Sequence, residues 1–113
     1  MDQVTTYRET VREILTGLQK EYYNQTGPIK ATLIQDDRNG HYLITIEGWE
    51  GERFTYGTSI HVEVKADGKV WIHRNSSSVI IIDHLERAGI PMASTVVAWH
   101  PPLARKHTEF AEG

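Results

Sequence analysis

The sequence predicts an α+β domain: an N-terminal helix, an antiparallel meander sheet of about four to five strands, and one or two further helices toward the C-terminus. Three observations carry this. Apolar residues recur at three- and four-residue steps from Val4 to Tyr22, the spacing of one helical stripe. After Pro28 the period drops to two, broken at Asn39-Gly40, Gly51 and Asp67-Gly68 by residues that turn the chain. Beyond Asn75 the helical spacing returns, between a serine run and Gly89-Ile90-Pro91.

The first helix puts Val4, Tyr7, Val11, Ile14, Leu15, Leu18 and Tyr22 on its core stripe. Its other face, with Arg8, Glu9, Arg12, Glu13 and Lys20, is expected to meet solvent, and Gly27-Pro28 stops it. A strand through Ala31, Leu33 and Ile34 then turns at Asp36–Gly40 into a second strand with Tyr42, Ile44 and Ile46. Gly48–Glu52 reads as the next turn, followed by a long strand from about Arg53 to Lys65 and a shorter one from Lys69 to Arg74. The loop Ala66-Asp67-Gly68 places Gly68 where a type I turn plus bulge needs a left-handed residue. That register pairs Val64 with Val70, Val62 with Ile72 and His61 with His73. A two-residue Asp67-Gly68 loop is the alternative, but it exposes Val70 and Ile72. Ser76-Ser77-Ser78 offers N-caps for a helix through Val79, Ile82, Leu85 and Ala88, although Val79–Ile82 also fits a buried strand. Val96, Val97 and Trp99 suit a short strand, and Pro101 to Phe110 is expected to be irregular or briefly helical.

At 113 residues the chain reads as one domain spanning 1–113. Twelve Lys and Arg stand against 15 Asp and Glu, for a net charge of −3 and a pI near 6.0. A general nucleic-acid binder needs a basic face and usually a pI above ~9, so direct DNA contact is not expected. The absence of Cys excludes disulfides, thiolate nucleophiles and Cys-ligated zinc. The polar N-terminus has no signal-peptide core and no apolar run approaches ~20 residues, so a soluble, cytoplasmic protein is expected.

Candidate chemistry is sparse. His61 and His73 face each other in the favoured register, with Glu63 on the same face, and such a set suits a divalent ion. No HxH or HxxxH spacing supports that metal site, and a half-exposed polar pair beside Trp71 is the plainer reading. Glu63-Val64-Lys65 with Asp36 or Asp37 superficially resembles a nuclease core, a pattern any polar-alternating strand produces. His41, His84, His100 and His107 carry weaker signals. Lys65, Lys69, Arg74, Arg105 and Lys106 would serve a DNA-binding face only if they cluster. Large aromatics, His and Arg at loop and strand ends stand out: Trp49, Arg53, Tyr56, His61, Trp71, Trp99, His100, Arg105 and Phe110, with His73 and Thr108 added as partner-binding candidates. Trp, Tyr and Arg are the residues most enriched at energetic interface anchors.

The series His41-Tyr42-Leu43, Gly48-Trp49, Arg53 with Gly57, His61, Gly68 to Ile72, Gly89-Ile90-Pro91, and His100 through Arg105, Thr108 and Phe110 resembles the XisI-like family. These are cyanobacterial controlling factors for excision of the fdxN element. The resemblance runs from Tyr7 to Ala111. It implies an α+β domain acting with a companion, XisH, in support of a separate site-specific recombinase during heterocyst differentiation. The family brings no catalytic residues and no cofactor to carry over. Ser77-Ser78, Met92–Thr95 and Ala98-Trp99 depart from the pattern usual in relatives. Together with the acidic balance, the resemblance predicts a non-enzymatic accessory protein that binds a protein partner. A homodimer is an open option because a meander leaves edge strands to be covered, charged or paired.

Overall fold

A computed structural model describes residues 2–23 and 26–113. Helix α1 spans Gln3–Tyr22 and starts on Asp2, whose carboxylate accepts from the Thr5 amide. That bond holds the Asp2 carboxyl below the usual carboxylate range. Five strands follow as one sheet in the order β1 (Ile29–Asp36), β2 (His41–Glu50), β3 (Arg53–Val64), β4 (Val70–Asn75) and β5 (Thr95–Val97). Helix α2 (Ile81–Arg87) and a 3₁₀ turn (Met92–Ser94) link β4 to β5, and the short α3 (Pro102–Arg105) leads into the tail.

The core forms where α1 lies on one face of the sheet. Tyr7, Val11, Leu15 and Leu18 meet Tyr42 and Ile44 of β2, Ile60, Val62 and Val64 of β3, and Val70 and Ile72 of β4. Ile81 and Leu85 of α2 and Ile90 close the same cluster. Period-two alternation therefore splits each strand into a buried inner row and an outer row. Tyr22, placed on the core stripe by its spacing, is exposed at the helix end. Arg8 and Arg12, expected to meet solvent, instead brace the β1–β2 turn. Arg8 donates to the Val64 carbonyl (Nη2, 3.0 Å) and Arg12 pairs with Asp37 at 3.1 Å.

The β3–β4 turn follows the expectation. Gly68 has φ +88°, its amide donates to Lys65 O, and Lys65 N donates to Lys69 O. Val64 opposes Val70 and Val62 opposes Ile72. The next expected pair fails, because a bulge between His61 and Val62 sets His61 opposite Arg74 and leaves His73 as the extra residue. The β2–β3 turn is tighter than Gly48–Glu52, since β2 continues to Glu50 and only Gly51-Glu52 connects it to Arg53. Gly51 supplies the positive φ, +62°, that a two-residue hairpin turn needs.

Ser76–Ser78 do not cap α2. That helix begins at Ile81, two residues after Val79, with Ile80 at the cap position and no side-chain cap. Ser77 instead donates to Asn75 Oδ1 and accepts from Val79 N, closing a local polar turn. The sheet is also not a pure meander. β5 runs parallel to β4, because the helical crossover returns the chain in the same direction.

Candidate functional site

With α1 and α2 covering the inner face, the outer face of the sheet carries the C-terminal tail against Trp71 of β4, and its remaining residues form two groups. The first is a side-chain cluster across β2, β3 and β4. His41 Nδ1 lies 2.9 Å from His61 Nε2, and His73 Nε2 lies 2.8 Å from Glu63 Oε1. His41 Nε2 faces the other Glu63 oxygen at 3.6 Å. The His61 and His73 rings remain neighbours, 4.7 Å between centroids, although the bulge has broken their pairing. Burial, with the His73 and His41 imidazoles beside it, pushes His61 below the ordinary histidine range. The carboxylate fixes one tautomer, in which His73 Nε2–H donates to Glu63, while the proton between His41 Nδ1 and His61 Nε2 is compatible with either ring.

This cluster contains the residues sequence reasoning grouped, His61, Glu63 and His73, and adds His41. Its donors are spent on one another. Among the described residues no group of three His, Asp or Glu is arranged to hold a metal ion. Asp36 and Asp37 lie in the β1–β2 turn and serve it. Asp36 accepts from Arg38 N, Asn39 N and the Asn39 side chain, which lowers its pKa, and Asp37 accepts from Tyr42 Oη. Burial, reinforced by that Asp37 contact, raises the Tyr42 phenol above its usual range.

The second group is at the far end of the β2–β3 hairpin, beyond the core. A second bulge, between Ile44 and Thr45, pairs Ile44 with Ile60 but Thr45 with Thr58, so Ser59 is the extra residue. Ser59 is buried and shares a 2.7 Å hydrogen bond with Tyr23 Oη. Beyond it the parity of β3 reverses, and Tyr56 and Phe54 join Trp49 on the outer face. Trp49 opposes Phe54 directly with ring centroids 5.1 Å apart, and Phe54 stacks on Tyr56 at 6.5 Å with the planes 10° apart. Exposures of 60% for Trp49, 50% for Phe54 and 78% for Tyr56 show that this ladder belongs to no core. Arg53, also exposed, adjoins it at the turn.

The C-terminal candidates do something else. Arg105 donates to the carbonyls of Ala98, His100 and Glu112 at 3.1 Å each, and its guanidinium stands 5.2 Å from the Trp71 ring. Thr108 accepts from Phe110 N and donates to Arg105 O, and the His100 and Phe110 rings lie 6.1 Å apart. Arg105, Thr108, His100 and Phe110 thus tie the tail to itself and to β4. Trp71 is half-buried between Lys65, His73 and Arg105, whereas Trp99 and Leu103 stand exposed. Three of the five basic candidates gather at the tail, where Lys65 sits 4.0 Å over Trp71, Arg105 stands over the same ring and Lys69 bonds the Gly113 carbonyl, while Arg74 donates to Thr58 O at 2.7 Å. Phe54 and Leu103 were not singled out from the sequence.

Among the described residues no helix is long and apolar enough to cross a membrane. The sequence model of the XisI protein family matches residues 1–112. The crystal structure of the fdxN element excision controlling factor XisI from Anabaena variabilis ATCC 29413 is 30% identical, with a TM-score of 0.82, over 99% of this chain and 100% of that one. A XisI-like protein from the same organism superposes at a TM-score of 0.86 with 27% identity, over 96% of this chain and 97% of that one. No curated protein matches.

Proposed function

Because the chain belongs to the XisI family, we propose that it is an excision-controlling accessory factor that works by binding a protein partner rather than by catalysis. A XisH-like companion, through which it would assist a site-specific recombinase, is the partner this reading selects. The observation that carries the reading is the ladder of Trp49, Phe54 and Tyr56, three large rings held on a stiff hairpin outside the core. Rigid aromatics pay little conformational entropy on docking and dominate interface energetics. The charge balance supports the same reading, since phosphate binding calls for a basic surplus and the chain carries a net −3. The His41–His61–Glu63–His73 cluster borders the same face, with three of its ring nitrogens and one Glu63 oxygen hydrogen-bonded within the cluster, so it offers a firm polar rim beside the aromatic ladder.

Co-purification with the product of the neighbouring gene tests this. Trp49→Ala and Tyr56→Ala should each weaken the complex at least about tenfold, the range of an interface anchor. Arg53→Ala, at the rim, should cost less. A folded Trp49→Ala, Phe54→Ala, Tyr56→Ala triple variant that retained full partner binding would overturn the proposal.

A further inference from the structure

The two edges of the sheet are treated differently. β5 has three residues, and the tail closes over it, with Ala111 N donating to Thr95 O at 2.8 Å. β1 has eight residues and, among the described residues, no strand on its outer side. Which main-chain groups it leaves open follows from one bond. Val64 N donates to Gly40 O across β2 and β3, so even-numbered residues there bond β3, and the odd-numbered residues of β2 bond β1. Through the register Leu43 with Ile34 and Thr45 with Thr32, the even residues of β1 are the ones taken up. Ile29, Ala31, Leu33 and Gln35 therefore present their N–H and C=O groups outward.

Helix α1 covers one of these, since Gln19 Nε2 donates to Ala31 O at 2.8 Å. Among the described residues nothing bonds the outward groups of Leu33 and Gln35. Ile34, between them on the outer face, is 46% exposed. Long bare edges invite another strand.

We propose that β1 pairs with β1 of a second copy of this chain, antiparallel about a two-fold axis at Ile34, joining two sheets into one of ten strands. This register sets Leu33 opposite the second copy's Gln35 and uses the open groups while leaving Ala31 to Gln19. Moving the axis to Leu33 would require the Ala31 carbonyl that Gln19 already holds. Moving it to Gln35 would set Ile34 against the second copy's Asp36. At the Ile34 axis the two Ile34 side chains meet as a close, non-hydrogen-bonded pair, and Thr32 faces the second copy's Asp36. Lys30 is diagonal to that same Asp36, so each end of the pairing matches a cation with a carboxylate. Such a contact is small beside the ~1,600 Å² of a standard interface, so the dimer is reversible and concentration-dependent. The outer face and its aromatic ladder stay open on both copies.

The chain has no cysteine, so Ile34→Cys places a single thiol on each side of the axis, at a pair type whose Cβ separation of about 4.5–5.5 Å lies close to disulfide geometry. In a glutathione buffer it should form a covalent dimer about tenfold or more faster than an exposed control, Glu86→Cys on α2, because pairing raises the local thiol concentration. Sedimentation equilibrium of the unmodified chain should show a dimer that Ile34→Lys returns to monomer with an unchanged circular dichroism spectrum. Equal cross-linking rates, a monomer at every concentration, or a dimer that survives Ile34→Lys would each overturn the pairing.

Discussion

His61 shows how one side chain records its surroundings. Its burial and its two imidazole neighbours favour the neutral form. Between the unfolded value of about 6.5 and the lower folded value, the unfolded chain binds the extra proton. Stability is therefore fully present above about pH 6.5 and is lost as the pH falls through the folded value. Urea unfolding from pH 8 to 5 should show this acid limb, and His61→Gln should flatten it. Arg105 is the counterpart in the tail. Arg105→Ala should cost about 2 kcal/mol by stranding carbonyls it now satisfies, and should expose the segment after Val97 to limited proteolysis. Arg105→Lys should restore little, since one ammonium cannot span three carbonyls. A loss of partner binding in Arg105→Ala, with the tail released, would then report structure rather than a direct contact. His61, Glu63 and His73 could be grouped from sequence because alternation puts them on one side of a hairpin. The tail residues carried no such signal, since the contacts of Arg105 depend on how β5 and α3 fold back.

Among the elements, the turns were the most legible and the bulges the least. Gly68 was readable because a three-residue loop with glycine last has essentially one solution. Gly40 is under a stronger constraint. Its φ is +77°, and a Cβ there would stand 2.2 Å from the Val64 carbonyl oxygen, the same oxygen Arg8 binds. Gly40→Ala should cost about 3 kcal/mol, measured as a shift in urea midpoint, because both the backbone conformation and the β2–β3 bond to Val64 must give way. The bulges at Ser59 and at His73 each change which residue faces which way, and neither has a local signature. Ser59 is in place because Tyr23 bonds its hydroxyl and Ser76 N its carbonyl, groups distant in sequence or across a turn. Strict alternation from His61 backward would turn Tyr56 and Phe54 inward, and the Ser59 bulge is what delivers them to the aromatic ladder. Likewise the serine run looked like a helix cap, but Asn75 competes for Ser77 and shifts the helix start.

For the molecule as a whole, stability rests on a single layer of contact between helices and sheet. Leu15 is fully buried at its centre, and Leu15→Ala should cost about 2–5 kcal/mol by calorimetry or denaturant titration, the range for opening a cavity in a close-packed core. The outer face contributes little to that core, so Tyr56→Ala should leave stability within about 0.5 kcal/mol while weakening the partner complex. That separation of stability from binding is what a docking face on a one-sided sheet predicts. The sequence by itself determined the α+β class, the α1 core stripe, four strands in meander order and the β3–β4 register at Val62 and Val64, together with the family. Periodicity and turn chemistry are local, and a buried face punishes any one-residue slip. Only the tertiary structure decided that β5 runs parallel, that His41 completes the histidine cluster, that Arg105 braces the tail, and that one sheet edge is covered while the other stays open. Those depend on contacts between residues far apart in the chain, where packing of the assembled elements chooses among arrangements that local propensity leaves equal.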